Sequence, residues 1–229
     1  MFRRLAFVIS VLILSSSNAS AGEWVNLFDG KTLVGWKIRS GFASIVVENG
    51  VIVGTTVDGS PNTFLCTENE YGDFILEFET KNDPLLNTGV QIRSQVAQEE
   101  MTLWFLNKKG KPVKRVLPPD RVYGYQVDIF NEESGISGGI YDETRRSFFL
   151  ADVSTDPKTR NAHKDNQWNR YRIECRGHSI KTWVNDVQCA DIQDSLTLRG
   201  IIGLQVHGLR DHYQKLQVRF RNIRIQKLD

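Results

Sequence analysis

Six polar side chains, Glu79, Arg93, Gln126, Asp128, Gln205 and His207, occupy alternate positions within runs that are otherwise apolar. An ordinary solvent-facing set is rich in Lys, Glu, Thr and Ser, whereas this one offers a guanidinium, two carboxylates, two amides and an imidazole. Arg supplies a fork of donors, carboxylates accept from hydroxyls, and amides do both. On a common surface they suit a ligand bearing many hydroxyls, so the substrate class they suggest is carbohydrate. Trp36, Trp104, Tyr123 and Tyr141 are the aromatics that could stack on the apolar face of a sugar ring.

Whether the six meet depends on strands. Period-two alternation recurs along the chain, punctuated by Gly, Asn and Asp, and no window shows capped helical periodicity. Asn49-Gly50 and Asn185-Asp186 each separate two apolar runs and predict tight hairpins. With Phe74, Leu76 and Phe78 in the core, Glu77 and Glu79 face outward. The same parity turns Gln91 and Arg93 away from Val90 and Ile92. It also sends Gln126 and Asp128 away from Tyr125, Val127 and Ile129, and Gln205 and His207 away from Leu204 and Val206. Many strands without intervening helices predict an all-β fold, an antiparallel two-sheet jelly-roll sandwich. Residues 95–120 break the rhythm with Trp104-Phe105, a basic run and Pro118-Pro119. The lysines read as a solvated excursion, and the paired aromatics as the rim or lid of a site.

The remaining signals mostly exclude. Of the 229 residues 40% are hydrophobic and 24% charged, which rules out global disorder. Residues 22–229 hold 27 basic and 27 acidic side chains, so no overall field attracts nucleic acid. Zincin, serine-hydrolase, Walker and dinucleotide fingerprints are absent. His163, His178 and His212 receive no role; Trp24, Trp168 and Trp183 read as core or hairpin packing. Cys175 and Cys189 flank a predicted hairpin, leaving open whether they pair or act as buried thiols.

Met1-Phe2-Arg3-Arg4, an apolar stretch from Leu5 to Leu14 and Ala19-Ser20-Ala21 read as a signal peptide of residues 1–21 with cleavage after Ala21. The apolar stretch falls short of the about 20 residues a membrane span needs. The expectation is an exported, periplasmic or extracellular protein with one domain over residues 22–229 and no membrane span.

Leu27-Phe28-Asp29-Gly30-Lys31-Thr32-Leu33 followed by Gly35-Trp36 resembles the opening of the 3-keto-disaccharide hydrolase domain family. Tyr71-Gly72-Asp73-Phe74, Asn87-Thr88-Gly89-Val90, Gly124-Tyr125-Gln126-Val127-Asp128-Ile129 and Ile140-Tyr141-Asp142-Glu143 continue the likeness in order. Trp183-Val184-Asn185, Gly200 to Gly208 and Phe220-Arg221-Asn222-Ile223 complete it. Thr88 stands where Ser is usual and Asp186 where Gly usually closes the hairpin. The resemblance implies a concanavalin-like or laminin-G-like jelly roll acting on glycosides oxidised to a ketone at the third sugar carbon.

A ketone acidifies the neighbouring ring C–H, which lies beside the anomeric carbon that carries the leaving group. Proton abstraction, elimination of the aglycone and hydration then achieve hydrolysis with a base, an enolate stabiliser and an acid. For this chemistry the resemblance points to His207 as base or acid, with Glu79 or Asp128 as its counterpart. Arg93 stabilises the enolate oxygen, and Gln126, Gln205, Tyr141, Asn87 and Trp104 bind substrate. A divalent cation bound by carboxylate and His is the alternative electrophile. Two other readings stay open: a non-catalytic carbohydrate-binding module using the same concave face, and a glycosidase with two carboxylates.

Overall fold

Asn49 and Gly50 have φ of +50° and +80°, and Asn185 and Asp186 +47° and +68°. Both turns are therefore of the doubly left-handed kind that matches strand twist, and Asp186 tolerates the region that Gly would otherwise fill. The structure, a computed structural model, describes residues 22–130, 135–209 and 215–228. The expected signal peptide lies outside these residues.

The strands assemble into two packed antiparallel sheets. Sheet A contains β1 (Trp24–Asn26), β3 (Ser44–Glu48), β4 (Val51–Thr55), β6 (Phe74–Asn82), β13 (Asn169–Arg176), β14 (Ser179–Val184), β15 (Val187–Gln193) and β17 (Gln217–Lys227). Its order is β15-β14-β13-β6-β17-β4-β3, with β1 on β17. Sheet B contains β2 (Trp36–Arg39), β5 (Thr63–Thr67), β7 (Thr88–Val96), β10 (Val122–Ile129), β11 (Ile140–Glu143), β12 (Phe149–Ala151) and β16 (Ile201–Val206). Its order is β12-β11-β10-β7-β16-β5-β2. A separate hairpin joins β8 (Met101–Leu106) to β9 (Pro112–Leu117), and α1 (Pro157–Arg160) is one helical turn. This is the expected sandwich. Phe74, Leu76, Phe78 and Tyr171 from sheet A meet Val90, Ile92, Tyr125, Val127 and Leu204 from sheet B in one core.

The layering overturns one site assignment. Glu79 faces outward as parity requires, but on β6 of sheet A, whereas the other five lie on or just beyond strands of sheet B. Its carboxylate accepts from Arg221 Nε at 2.7 Å and Asn222 Nδ2 at 3.1 Å. Alternation specifies the face of a strand, not the sheet it joins. Trp24, Trp168 and Trp183 are half-buried on that same outer face, under the guanidiniums of Arg224, Arg221 and Arg172 at 4.5, 4.0 and 5.8 Å. Cys175 and Cys189 are free thiols on β13 and β15, with β14 between them.

Sheet B does not end where its ladder does. The β7–β10 pairing shifts between Tyr123 and Tyr125, and the β16–β7 pairing between Ile201 and Gly203. Arg93 adopts φ +46° and Gly124 φ +133° at this bulge. A Cβ on Gly124 would lie 2.8 Å from Ser94 Oγ, so only glycine fits. Beyond the bulge Val96 and Val122 pack with Phe64, Cys66 and Ile201 in a second, smaller apolar cluster. Asp120 reaches the β2 side, where Arg39 Nη1 donates to it at 2.7 Å and the Ser40 amide at 2.9 Å. The two strands thus curl back over the outer face of their own sheet.

Candidate functional site under the overhang

The register of sheet B lays out the floor. Asp128 pairs with Gly89, and Gln126 lies between Gln91 and Tyr141. Gly203 pairs with Gln91 and Gln205 with Phe64. Gly89 has to be glycine, because a Cβ would stand 2.7 Å from the Gln126 side chain that lies across it. Gln126 Nε2 donates to Asp128 Oδ1 at 2.6 Å, Gln91 Nε2 to Gln126 Oε1 at 2.7 Å, and Ser94 Oγ to Gln91 Oε1 at 2.6 Å. A directed chain of donors therefore ends on a buried carboxyl. Burial lifts the Asp128 carboxyl to about 7, against the pull of the Gln126 bond, and the nearby Glu143 charge adds to the rise.

His207 follows β16, and its imidazole is held below the ordinary histidine value by burial, while a backbone hydrogen bond to Gly208 and the Glu143 charge oppose this. Its Nδ1 is buried with no hydrogen-bond partner among the described residues, as are both amide atoms of Gln205. A cavity of about 480 Å³ opens beside His207, with Asn62, Arg121 and Leu209 among its lining. Asn87 is half-buried just ahead of Thr88, whose hydroxyl donates to the Gln205 carbonyl, and so sits at the His207 end of the floor. A hollow of similar volume, about 490 Å³, lies on the outer face of sheet A. Its charges are already matched, since Glu77 accepts from Arg172 at 2.9 Å and from Arg224 at 2.7 Å. The cavity beside His207, whose Nδ1 has no partner among the described residues, is the better candidate.

Glu143 was not singled out from sequence, although Tyr141 two residues earlier was. It pairs with Gly124 in the overhang and accepts from Asn62 Nδ2 at 3.3 Å on the far side of the floor. Its charge acts on Asp128, His207 and Tyr141 together, and burial with this charge raises the Tyr141 phenol. Arg115 of β9 acts on Tyr141 in the opposite sense. The only advance signal was parity, which gives Tyr141 and Glu143 one face.

Arg93 does not join the site. The bulge turns its side chain inward, where it is 0% exposed. There Nε donates to the Gly72 carbonyl at 2.7 Å, Nη1 to the Gly177 carbonyl at 2.6 Å and Nη2 to Asp73 at 2.7 Å. Ser94 pairs with Ile201, six residues before His207, which places Arg93 and the imidazole roughly 20 Å apart along the strand. The expectation that these two meet is therefore wrong. Arg121 is the guanidinium that shares a cavity with His207. Trp104 also faces away, 68% exposed on the outer side of the hairpin, while Phe105 and Arg115 take the inner side. Trp36 is buried, its indole donating to the Leu27 carbonyl at 2.7 Å. Among the described residues no three His, Cys, Asp or Glu gather to hold a metal ion.

The fold recurs in carbohydrate-linked proteins. A provisionally named glycosyl hydrolase from Parabacteroides distasonis superposes with a TM-score of 0.56 at 18% identity, over 91% of this chain and 94% of that one. The carbohydrate-binding module CBM66 from Bacillus subtilis gives 0.57 at 17% identity, over 84% and 96%. A β-1,3-1,4-glucanase (lichenase) derived from a mouse hindgut metagenome gives 0.54 at 10% identity, over 92% and 100%. At these identities the likeness is one of fold. No curated protein sequence matches the chain. The 3-keto-alpha-glucoside-1,2-lyase-like domain matches residues 23–226, nearly all of the described chain, and the protein belongs to that family.

Proposed function

We propose that the protein is an exported enzyme that cleaves 3-keto-glycosides by elimination and rehydration. The observation that supports this reading is that the outer face of sheet B carries both an imidazole held below the ordinary histidine value and a carboxyl raised to about 7, each acted on by the Glu143 charge. Two titratable groups pushed in opposite senses are what a base and an acid working together require.

His207 takes the proton from the carbon between the ketone and the anomeric centre. The electron pair moves onto the ketone oxygen, where Arg121 stabilises the enolate charge. The enolate collapses, the bond from the anomeric carbon to the aglycone oxygen breaks, and Asp128 protonates the departing oxygen. Water then adds to the anomeric carbon of the enone and the proton returns to the adjacent carbon, giving the 3-keto-sugar and the free aglycone. Gln205 and Glu143 have hydrogen-bonding capacity for ring hydroxyls, and Tyr141 borders the same floor.

The test incubates purified protein with a 3-keto-glucoside and its unoxidised parent, each with and without chelator. Cleavage of the keto-glycoside alone is expected. Cleavage of the parent would instead indicate a two-carboxylate glycosidase, and binding of both without turnover a carbohydrate-binding module. Sequencing the N-terminus of the protein recovered outside the cytoplasm tests export, with Gly22 expected first.

A further inference from the structure

We propose that the β8–β9 hairpin docks the protein peripherally on an anionic lipid surface. The hairpin forms its own two-stranded sheet and joins neither layer of the sandwich. Its inner face carries Leu103, Phe105, Val113 and Arg115, all half-buried, so its outer face has nothing against it. On that outer face Trp104 stands opposite Lys114 and Leu106 opposite Pro112. Trp104, Leu106 and Val116 are 68%, 60% and 50% exposed, and Lys114 and Pro112 are exposed beside them.

Charge identifies the occupant. Residues 101–117 hold Lys108, Lys109, Lys111, Lys114 and Arg115 and no acid, while the rest of residues 22–229 holds 22 basic and 27 acidic side chains. The nearest acids in sequence, Glu99 and Glu100, lie at the root of the hairpin and not at its tip. A neutral glycan would use the aromatic but not the lysines beside it. A buried protein interface would have to desolvate lysines, which are depleted at such interfaces. An indole and aliphatic side chains fringed by lysines match the headgroup boundary of a bilayer. There the indole sits at the interface, the lysine stems lie along apolar surface and their ammonium groups meet lipid phosphates.

The full chain should co-sediment with vesicles of equal phosphatidylglycerol and phosphatidylcholine, and much less with phosphatidylcholine alone or in 0.5 M salt (about a 4 Å screening length). The combined variant K109Q/K111Q/K114Q should lose roughly fivefold in affinity per charge removed, and W104S roughly tenfold or more. Brominated lipid should quench a component of the fluorescence that W104F lacks. Unchanged circular dichroism melting would show each variant folded; should W104S not fold, the lysine variant and the quenching decide. Absence of vesicle binding, equal binding by the variants, or retention on an acidic polysaccharide such as alginate without binding to vesicles would each overturn the proposal.

Discussion

Gln126 Nε2 donates to one oxygen of Asp128, Oδ1 at 2.6 Å, and Gln91 and Ser94 continue the same chain behind that amide. The second carboxyl oxygen is left to carry a proton. The Gln126 bond thus orients Asp128, while burial raises its carboxyl against the pull of that bond.

The first consequence is a pH profile. His207 must be neutral, which its lowered value allows at pH below that of an ordinary histidine, and Asp128 must be protonated, which fails above about 7. Plots of kcat/KM on a 3-keto-glucoside should be bell-shaped, with the optimum on the acid side of neutrality and an alkaline limb near 7. Gln91→Leu should move the alkaline limb and leave Asp128 in place. A profile rising through pH 8 would contradict the acid role.

Asp128→Asn should abolish turnover, by a factor of about 10² or more, while stabilising the fold at alkaline pH. The carboxyl rises from 3.8 to about 7 on folding, so the native chain binds the extra proton and wild-type stability falls as pH climbs between those values. The amide retains an acceptor for Gln126 and carries no charge. Urea unfolding at pH 8 should show the variant more stable by a few kcal/mol, a difference that vanishes near pH 4.

His163 works in the opposite sense. It is buried, its Nδ1 is 2.9 Å from the Tyr171 hydroxyl, and desolvation depresses it from 6.5 to about 4. Below 6.5 the unfolded chain takes up a proton that the folded one refuses, so stability is full above 6.5 and is lost as pH falls towards 4. His163→Gln should flatten that loss, by about 3 kcal/mol between pH 7.5 and 4. Denaturant midpoints for the two proteins at both pH values measure it.

Glu79 and Arg93 should separate cleanly. Glu79→Gln breaks a half-exposed ion pair on the outer face of sheet A and should change stability by no more than about 1 kcal/mol, with turnover intact. Arg93→Ala removes a fully buried side chain together with its bonds to the Gly72 and Gly177 carbonyls and to Asp73, which keeps the Gly177 amide as a donor, and should cost about 3 kcal/mol. Arg93→Lys, which keeps the charge but not the fork, should fall between them. Thermal melts and the keto-glycoside assay together read both effects.

Much of this was visible in the residues. Asn49-Gly50 and Asn185-Asp186 specified their turns chemically, and alternation set the inward face of β6, β10 and β16. Glu79 was misplaced because periodicity carries no information about which of two layers a strand enters. Arg93 was misplaced because one left-handed residue at a bulge reverses the parity beyond it, and an arginine gives no hint of that conformation. Trp104 followed the same alternation on a hairpin that starts its own phase. Glu143 was overlooked because it reaches Asn62 through an overhang that local pattern does not reveal.

The overhang leaves the sandwich at a single place, where Arg93 is gripped from three sides by carbonyls and a carboxylate of the opposite layer. Everything between Ala97 and Arg121 is downstream of that grip. Insertions or deletions there can reshape the entrance to the cleft without altering any strand register beneath it. Relatives of this protein can accordingly vary this segment while inheriting the same sheet beneath it, with changes in the rim largely uncoupled from changes in folding.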